Sequence, residues 1–405
     1  MRPDRAGLLL GCALLASCLA PMDPSAVPVA SVRVTIGDQN RSVDTIQVRS
    51  TDRVHAEAIA REGYDIGLTR FAYSSSDSQV ATVDTLGIVR GITPGAAVIT
   101  ATTPGGVSGS ARVIVTSSTI AYTIAAGSDP GAIVFSPDYT RAYVVVGADS
   151  IAFLDALGFY RSSIVGLGAR IGALATTGTM IYATHPDADS VSMLSAATKE
   201  LLKRVWVGAG PDGLAAHGDV AFVAARYDHR IAVLRNGSLT GTIPVDGEPH
   251  ALALSADGSR LYATVLREGA WHLLAIDAAA ANALAMLPLD AEPADLAVAH
   301  DGLRVLVLEP AAGLLLDVQA SAATGALSVT RTAPVSNGSG GVAMRETNPP
   351  YVIVSGAPLQ LLDGASLTLL ERIDGGGDGH VAVRPDGLFA FVDDRAAGVV
   401  RVIGL

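Results

Sequence analysis

PHALALSADGSRLYATV, residues 249–265, decides how the larger part of this chain folds. A run of small apolar residues leads into the turn Ser255-Ala256-Asp257-Gly258, and a second apolar run, Leu261 to Val265, leads out of it. Each run has the length and composition of a short strand, and the Asp-Gly pair supplies turn chemistry between them. The same order of loop, apolar run, turn and apolar run begins again at Pro130, Ile171, Pro211, Pro293, Ser339 and Asp378. Together with Pro249, these starts lie 41, 40, 38, 44, 46 and 39 residues apart. A period of about 40 residues with room for four strands per unit is the pattern of a β-propeller, here with seven blades. The seventh unit ends with GVVRVIGL at the last residue and lacks a fourth strand. TIAYTIAAG, residues 119–127, reads like the fourth strands GTIPVDG and LERIDGG elsewhere. The prediction is a propeller over residues 118–405 closed by strand 119–127, which removes an open sheet edge. The inner strands are rich in small residues (Ala132, Ala173, Ala175, Ala215, Ala251, Ala253, Ala343), which fit the crowded axis and read as packing.

The turns Ser136-Pro137-Asp138, Ala256-Asp257-Gly258 and Pro385-Asp386-Gly387, with Ile181-Tyr182-Ala183-Thr184 and Leu261-Tyr262-Ala263-Thr264, resemble the YVTN repeat of surface-layer and lactonase-like proteins. Trp-Asp does not occur, so the WD-repeat variant is excluded.

Residues 30–117 read as a second, smaller all-β unit. SVRVTIG from Ser31 alternates Val32, Val34 and Ile36 with polar residues, and VHAEAIA from Val54 alternates in the same way. FAYSSSDSQVATVDTLGIVRGITPGAAVITAT, residues 71–102, resembles the bacterial Ig-like group 2 domain. Val80-Ala81-Thr82-Val83-Asp84, Gly87, Gly91 and the stretch Gly95 to Ala101 carry the resemblance, while Tyr73 stands where that family usually has Trp. It implies a small two-sheet sandwich. Asp77, Asp84 and Ser74 to Ser76 read as turn residues rather than ligands. The expected fold class is thus all-β: an Ig-like β-sandwich followed by a seven-bladed β-propeller.

The first residues read as an export segment. Arg2 and Arg5 precede an apolar stretch from Ala6 to Ala16, too short to span a bilayer. Leu15-Ala16-Ser17-Cys18 resembles the lipobox of bacterial lipoproteins, which implies a signal peptide over residues 1–17 and acylation of Cys18. The alternative is an ordinary signal peptide with an incidental cysteine. Leu9-Leu10-Gly11-Cys12 has the same spelling, but too little apolar sequence precedes it. Leu19, not Asp, follows Cys18, which by the same resemblance favours the outer membrane where two membranes exist. Pro21, Pro24 and Pro28 mark residues 18–29 as a tether. With Cys18 acylated, no thiol is left for a structural disulfide or a cysteine-ligated metal.

The formal net charge of −11 makes nucleic acid a poor partner. The eight histidines form no H-x-x-x-H or H-E-x-x-H pair, no C-x-x-C-H occurs for haem, and no G-x-S-x-G elbow is present. Two tryptophans are too few for the docked blades of quinoprotein propellers. No metal, cofactor or catalytic residue is implied. One constellation remains: the loops from each fourth strand to the next inner strand converge on one face of the channel. They carry Asp129, Arg170, Asp212, Glu248, His250, Glu292, Asp295, Asp374, Asp378 and His380. Such a ring can hold a cation or a polyhydroxyl ligand, and mutual repulsion would raise some of its carboxyl pKa values. Solvated loop residues are the plain alternative. The first functional reading is a lipid-anchored, extracytoplasmic binding or scaffold protein. In it the Ig-like unit is a spacer or adhesion module, and the propeller face meets a protein or glycan partner. The rival is a lactonase-like hydrolase acting at the channel mouth, for which no catalytic motif carries over residue by residue. A cofactor or electron-transfer propeller is the weakest option.

Overall fold

A computed structural model describes residues 28–37, 42–47, 51–68, 70–92, 95–116, 119–336, 338–347 and 350–405. The expected signal peptide, Cys18 and nearly all of the expected tether lie outside them. The chain divides into two compact units between residues 117 and 118. Strand is the only extended secondary structure among the described residues, apart from the short 3-10 turns Pro186–Ala188 and Arg226–Asp228. No helix there is long and apolar enough to cross a membrane.

The smaller unit has eight strands: β1 (Val29–Ile36), β2 (Val43–Gln47), β3 (Thr51–Ala60), β4 (Ala72–Ser75), β5 (Ala81–Val83), β6 (Ile88–Gly91), β7 (Gly95–Thr102) and β8 (Ser108–Thr116). They form two sheets, ordered β1-β3-β6-β5 and β2-β8-β7-β4, with β2 and β8 parallel. Alternation decides which residues meet between the sheets. Val32, Val34 and Ile36 of β1 pack with Ala97, Ile99 and Ala101 of β7 and Ala111, Val113 and Val115 of β8. The acidic residues are turn formers, as their spacing suggests. Asp84 accepts the backbone N–H of Leu86 and of Ile88, both at 2.8 Å, and Asp77 accepts that of Gln79 at 2.9 Å.

The larger unit contains seven four-stranded antiparallel sheets among the described residues. In the first, Ile133–Phe135, Arg141–Val146, Ser150–Asp155 and Tyr160–Gly166 run from the axis outward. In the last, Val381–Val383, Phe389–Asp394 and Val399–Gly404 are completed by β9 (Ile120–Ala125), which pairs antiparallel with the chain's final strand. Every blade has a register shift between its third and fourth strands, for example at Phe153/Leu154 and at Val402/Ile403. A bulge there adds the twist that each radial sheet needs to widen from axis to rim.

The blades pack face to face through largely aliphatic clusters, several of them with buried aromatic rings. Tyr143, Tyr182 and Tyr262 are all buried. Four arginines, three at the starts of second strands and Arg384 just after the first strand of the last blade, fasten one blade to the next. Arg141 donates to the Ala196 carbonyl at 2.8 Å, Arg260 to Ala322 at 2.9 Å, Arg304 to Gly364 at 2.6 Å, and Arg384 to Ala156 at 2.7 Å. Each guanidinium therefore satisfies a turn carbonyl of the neighbouring blade, which would otherwise lose its partner at the seam.

Candidate functional site

The seven inner strands share a register. Ile133, Leu174, Leu214, Leu252, Leu296, Val342 and Val381 each pair with the fourth residue of their blade's second-strand pattern. The residue just before each of them is Ala132, Ala173, Gly213, Ala251, Asp295, Gly341 or His380. Five of these seven are small. Asp295 and His380 are therefore the only ionisable residues among those seven positions.

Two cavities lie at this mouth. One, of about 360 Å³, is lined by Asp129, Arg170, His380 and Arg395 with the small residues Gly131, Gly147 and Gly172. The other, of about 280 Å³, is lined by Asp212, His250, Trp271, Glu292, Asp295, Thr264 and again His380. They meet at His380 and at the consecutive residues Gly172 and Ala173. Seven of the ten loop residues picked out from sequence thus come together. Glu248 lines neither cavity, because Arg226 holds it at 2.9 Å. Asp374 and Asp378 are exposed and also line neither. For these three the ring expected from sequence does not form.

Within the second cavity, Oδ2 of Asp212 lies 3.2 Å from Nδ1 of His250. The Trp271 ring meets the His250 ring edge-on at 4.7 Å. Nε2 of His250 is buried and has no hydrogen-bond partner among the described residues. Asp295 accepts the backbone N–H of Val342, from the next blade, at 2.9 Å. Its pKa is pushed up to about 7, and the cause is burial, not repulsion from neighbouring carboxylates. That corrects the expectation of mutual repulsion. His380 is driven down to about 4 by burial and then by the Arg395 charge, so its ring is neutral at pH 7. In the first cavity, Arg170 pairs with Asp187 at 2.9 Å. The Arg170 carbonyl is fixed by Nδ1 of the fully buried His185 at 2.9 Å. Among the described residues no group of three or more His, Cys, Asp or Glu stands close enough to hold a metal ion.

Asp393, just beneath this mouth, was not a candidate from sequence. At the matching position the second strands of other blades carry Thr184, Thr264 and Ser355. Their hydroxyls accept the backbone N–H of Ala173 at 2.8 Å, Ala251 at 2.9 Å and Gly341 at 2.8 Å. The Asp393 carboxyl accepts the backbone N–H of His380 in the same way. It is fully buried, and burial pushes its pKa up to about 7 against the opposing pull of Arg395. A carboxyl raised above its unfolded value favours the fold most when protonated, and that contribution is lost as pH rises through 7. Asp393→Asn removes the titration while keeping the shape. Between pH 5 and pH 8 its stability relative to the parent should rise by about 2–3 kcal/mol. Asp295 and His380 titrate in both proteins and cancel in the difference. Parallel melting curves across that range would remove the assignment.

Residues 30–115 match the family model of the bacterial Ig-like domain, group 2. No curated protein matches the chain. Among solved structures, hydrazine synthase of Kuenenia stuttgartiensis is similar with a TM-score of 0.58 and 19% identity, over 68% of this chain and 96% of that one. The β-propeller domain of Cps50 (Swd1) of Myceliophteria thermophila is similar with a TM-score of 0.59 and 13% identity, over 69% of this chain and 97% of that one. U3-55K gives 0.54 and 12%, over 69% and 96%. At these identities the likeness is one of fold alone. It establishes an all-β chain with an Ig-like sandwich followed by a β-propeller.

Proposed function

We propose that this is a lipid-anchored protein of the cell envelope, in which the Ig-like unit is a spacer or adhesion module and the propeller binds a protein or glycan partner at its channel mouth. The observation that carries the binding reading is the pair of adjoining cavities with Trp271, His250, His380 and carboxylates in their walls. A concave site with an aromatic surface and a few converging polar groups suits a ligand better than it suits packing. Trp271 and Trp206 are the only tryptophans, and Trp206 is exposed. In a Trp206→Phe background, Trp271 fluorescence therefore reports occupancy. Titration with oligosaccharide and peptide panels should give a saturable change, lost in Asp212→Asn/His250→Ala. A flat signal across both panels would defeat the binding reading.

The anchor is part of the same proposal. It rests on the lipobox resemblance at Cys18 and on the YVTN-like turns of a surface-layer type of repeat. Radiolabelled fatty acid should label the parent and leave Cys18→Ser unlabelled. Label retained in the variant would place acylation elsewhere.

The Asp212–His250 contact favours one second reading, a lactonase-like hydrolase. A carboxylate that orients an imidazole in a cavity wall is part of the arrangement of a general base. Hydrolysis of a lactone panel that falls at least a hundredfold in His250→Gln supports it. No turnover by the parent ends it.

A further inference from the structure

The two cavities differ in charge. One end of their joint space presents the guanidinium groups of Arg170 and Arg395 with a single carboxylate. The other presents Asp212, Glu292 and Asp295 and no Lys or Arg side chain. The neutral His380 ring stands where they meet. Arg170 and Arg395 are each about half exposed, and each spends only part of its five donors on Asp187 or Asp393. They keep N–H groups free to take a second acceptor.

A ligand of one charge is repelled at one end of this space. A neutral ligand can return hydrogen bonds to these charged groups but no opposite charge. A molecule with a carboxylate at one end and an ammonium at the other compensates both ends at once. We infer that the channel mouth binds a zwitterion of the amino-acid type, a free amino acid or a short unblocked peptide. Its carboxylate lies toward Arg170 and Arg395 and its ammonium toward Asp212 and Glu292. Guanidinium matches carboxylate geometry through paired N–H donors, which favours a carboxylate at that end. The cavities, at about 360 and 280 Å³, together fall in the size range of small-ligand sites and admit a small molecule or a chain end. This rests on reading the channel mouth as a binding site, and it names the class of ligand.

The test uses the full chain carrying Trp206→Phe and follows Trp271 fluorescence. The probes are free amino acids, unblocked di- and tripeptides, the same peptides N-acetylated or C-amidated, and neutral oligosaccharides. The expected result is saturable binding of an unblocked probe, weakened at least tenfold by acetylation and at least tenfold by amidation. The amino-acid and peptide arms show which of the two fits. In Glu292→Gln the acetylation penalty should shrink while the amidation penalty stays, and Arg170→Gln should show the reverse. Each variant weakens one end of the pairing, so the crossed pattern identifies which end each residue serves. Equal binding of blocked and unblocked peptides, or binding of oligosaccharides alone, overturns the zwitterion while leaving the mouth a binding site. No response to any probe overturns both.

Discussion

A chain beginning at Asp129 melts far below one beginning at Thr119, although the two differ by only ten residues. Those residues contain β9, the outer strand of the last blade. Without it, Val399–Gly404 becomes an open edge whose ladder from Val399 to Ile403 has no partner. Ile124 and Ala126, both buried in the cluster with Val144, Phe391, Val400 and Val402, are lost with it. So are the stack of Tyr122 on Phe159 at 4.1 Å and the Arg161 hydrogen bond to the Ala126 carbonyl at 3.0 Å. One buried isoleucine is worth about 1.5–3 kcal/mol, and the ladder bonds add about 0.5–1.5 kcal/mol each. The loss is then roughly 5 kcal/mol or more, a fall in Tm on the order of 10–20 °C. Aggregation should accompany it, because the bared edge is a template for pairing between chains. In the full-length protein Ile124→Asp should reproduce much of the effect. Matching melts for the two chain lengths would mean that β9 does not hold the ring closed.

The ring was legible because its information is periodic. A turn such as Ser255-Ala256-Asp257-Gly258 says little alone, but seven turns at near-equal spacing leave few other folds. The site was legible only in part, for a physical reason. The loops entering the inner strands carry Asp295 and His380, which break a run of Ala and Gly at the axis. They do not carry Trp271 or Arg395. Trp271 lies at the start of the third strand of the fourth blade, and Arg395 follows the second strand of the last blade. Both reach the mouth from a turn on the same face that belongs to a different part of the repeat. The entering loops also carry Glu248, whose arginine partner comes from the blade before its own. Asp393 did leave a trace. Aligning Tyr182-Ala183-Thr184, Tyr262-Ala263-Thr264 and Phe391-Val392-Asp393 puts an acid where a hydroxyl recurs, although its unusual proton affinity depends on burial that sequence does not report.

Asp317→Ala should cost about 3–5 kcal/mol, the range for breaking a buried ion pair by removing one partner. Asp317 sits on the third strand of the fifth blade and is only 2% exposed. Its Oδ1 meets Nε of Arg304 at 2.9 Å, and its Oδ2 meets Nη2 of Arg304 at 3.1 Å and Nη1 of Arg331 at 3.0 Å. The same two guanidinium groups donate to the carbonyls of Gly364 and Ala365, in the sixth blade. Removal of the carboxylate therefore leaves two cations unneutralised at a seam and frees the arginines that fasten it. The Coulomb attraction alone is a poor guide to the loss, since desolvating three charged groups has already offset much of it. A double-mutant cycle separates these effects. If the cost is mainly the orphaned charge of the less exposed Arg304, Asp317→Leu with Arg304→Met should recover most of the stability lost in Asp317→Ala, because apolar groups of similar volume need no partner and the half-exposed Arg331 can turn to water. If the cost is mainly the lost grip on Gly364, the double variant should remain as unstable as Arg304→Met alone. A melting temperature for Asp317→Ala within about 2 °C of the parent would show that the triad holds nothing together, since even 1 kcal/mol shifts Tm by about 2–4 °C in a protein of this size.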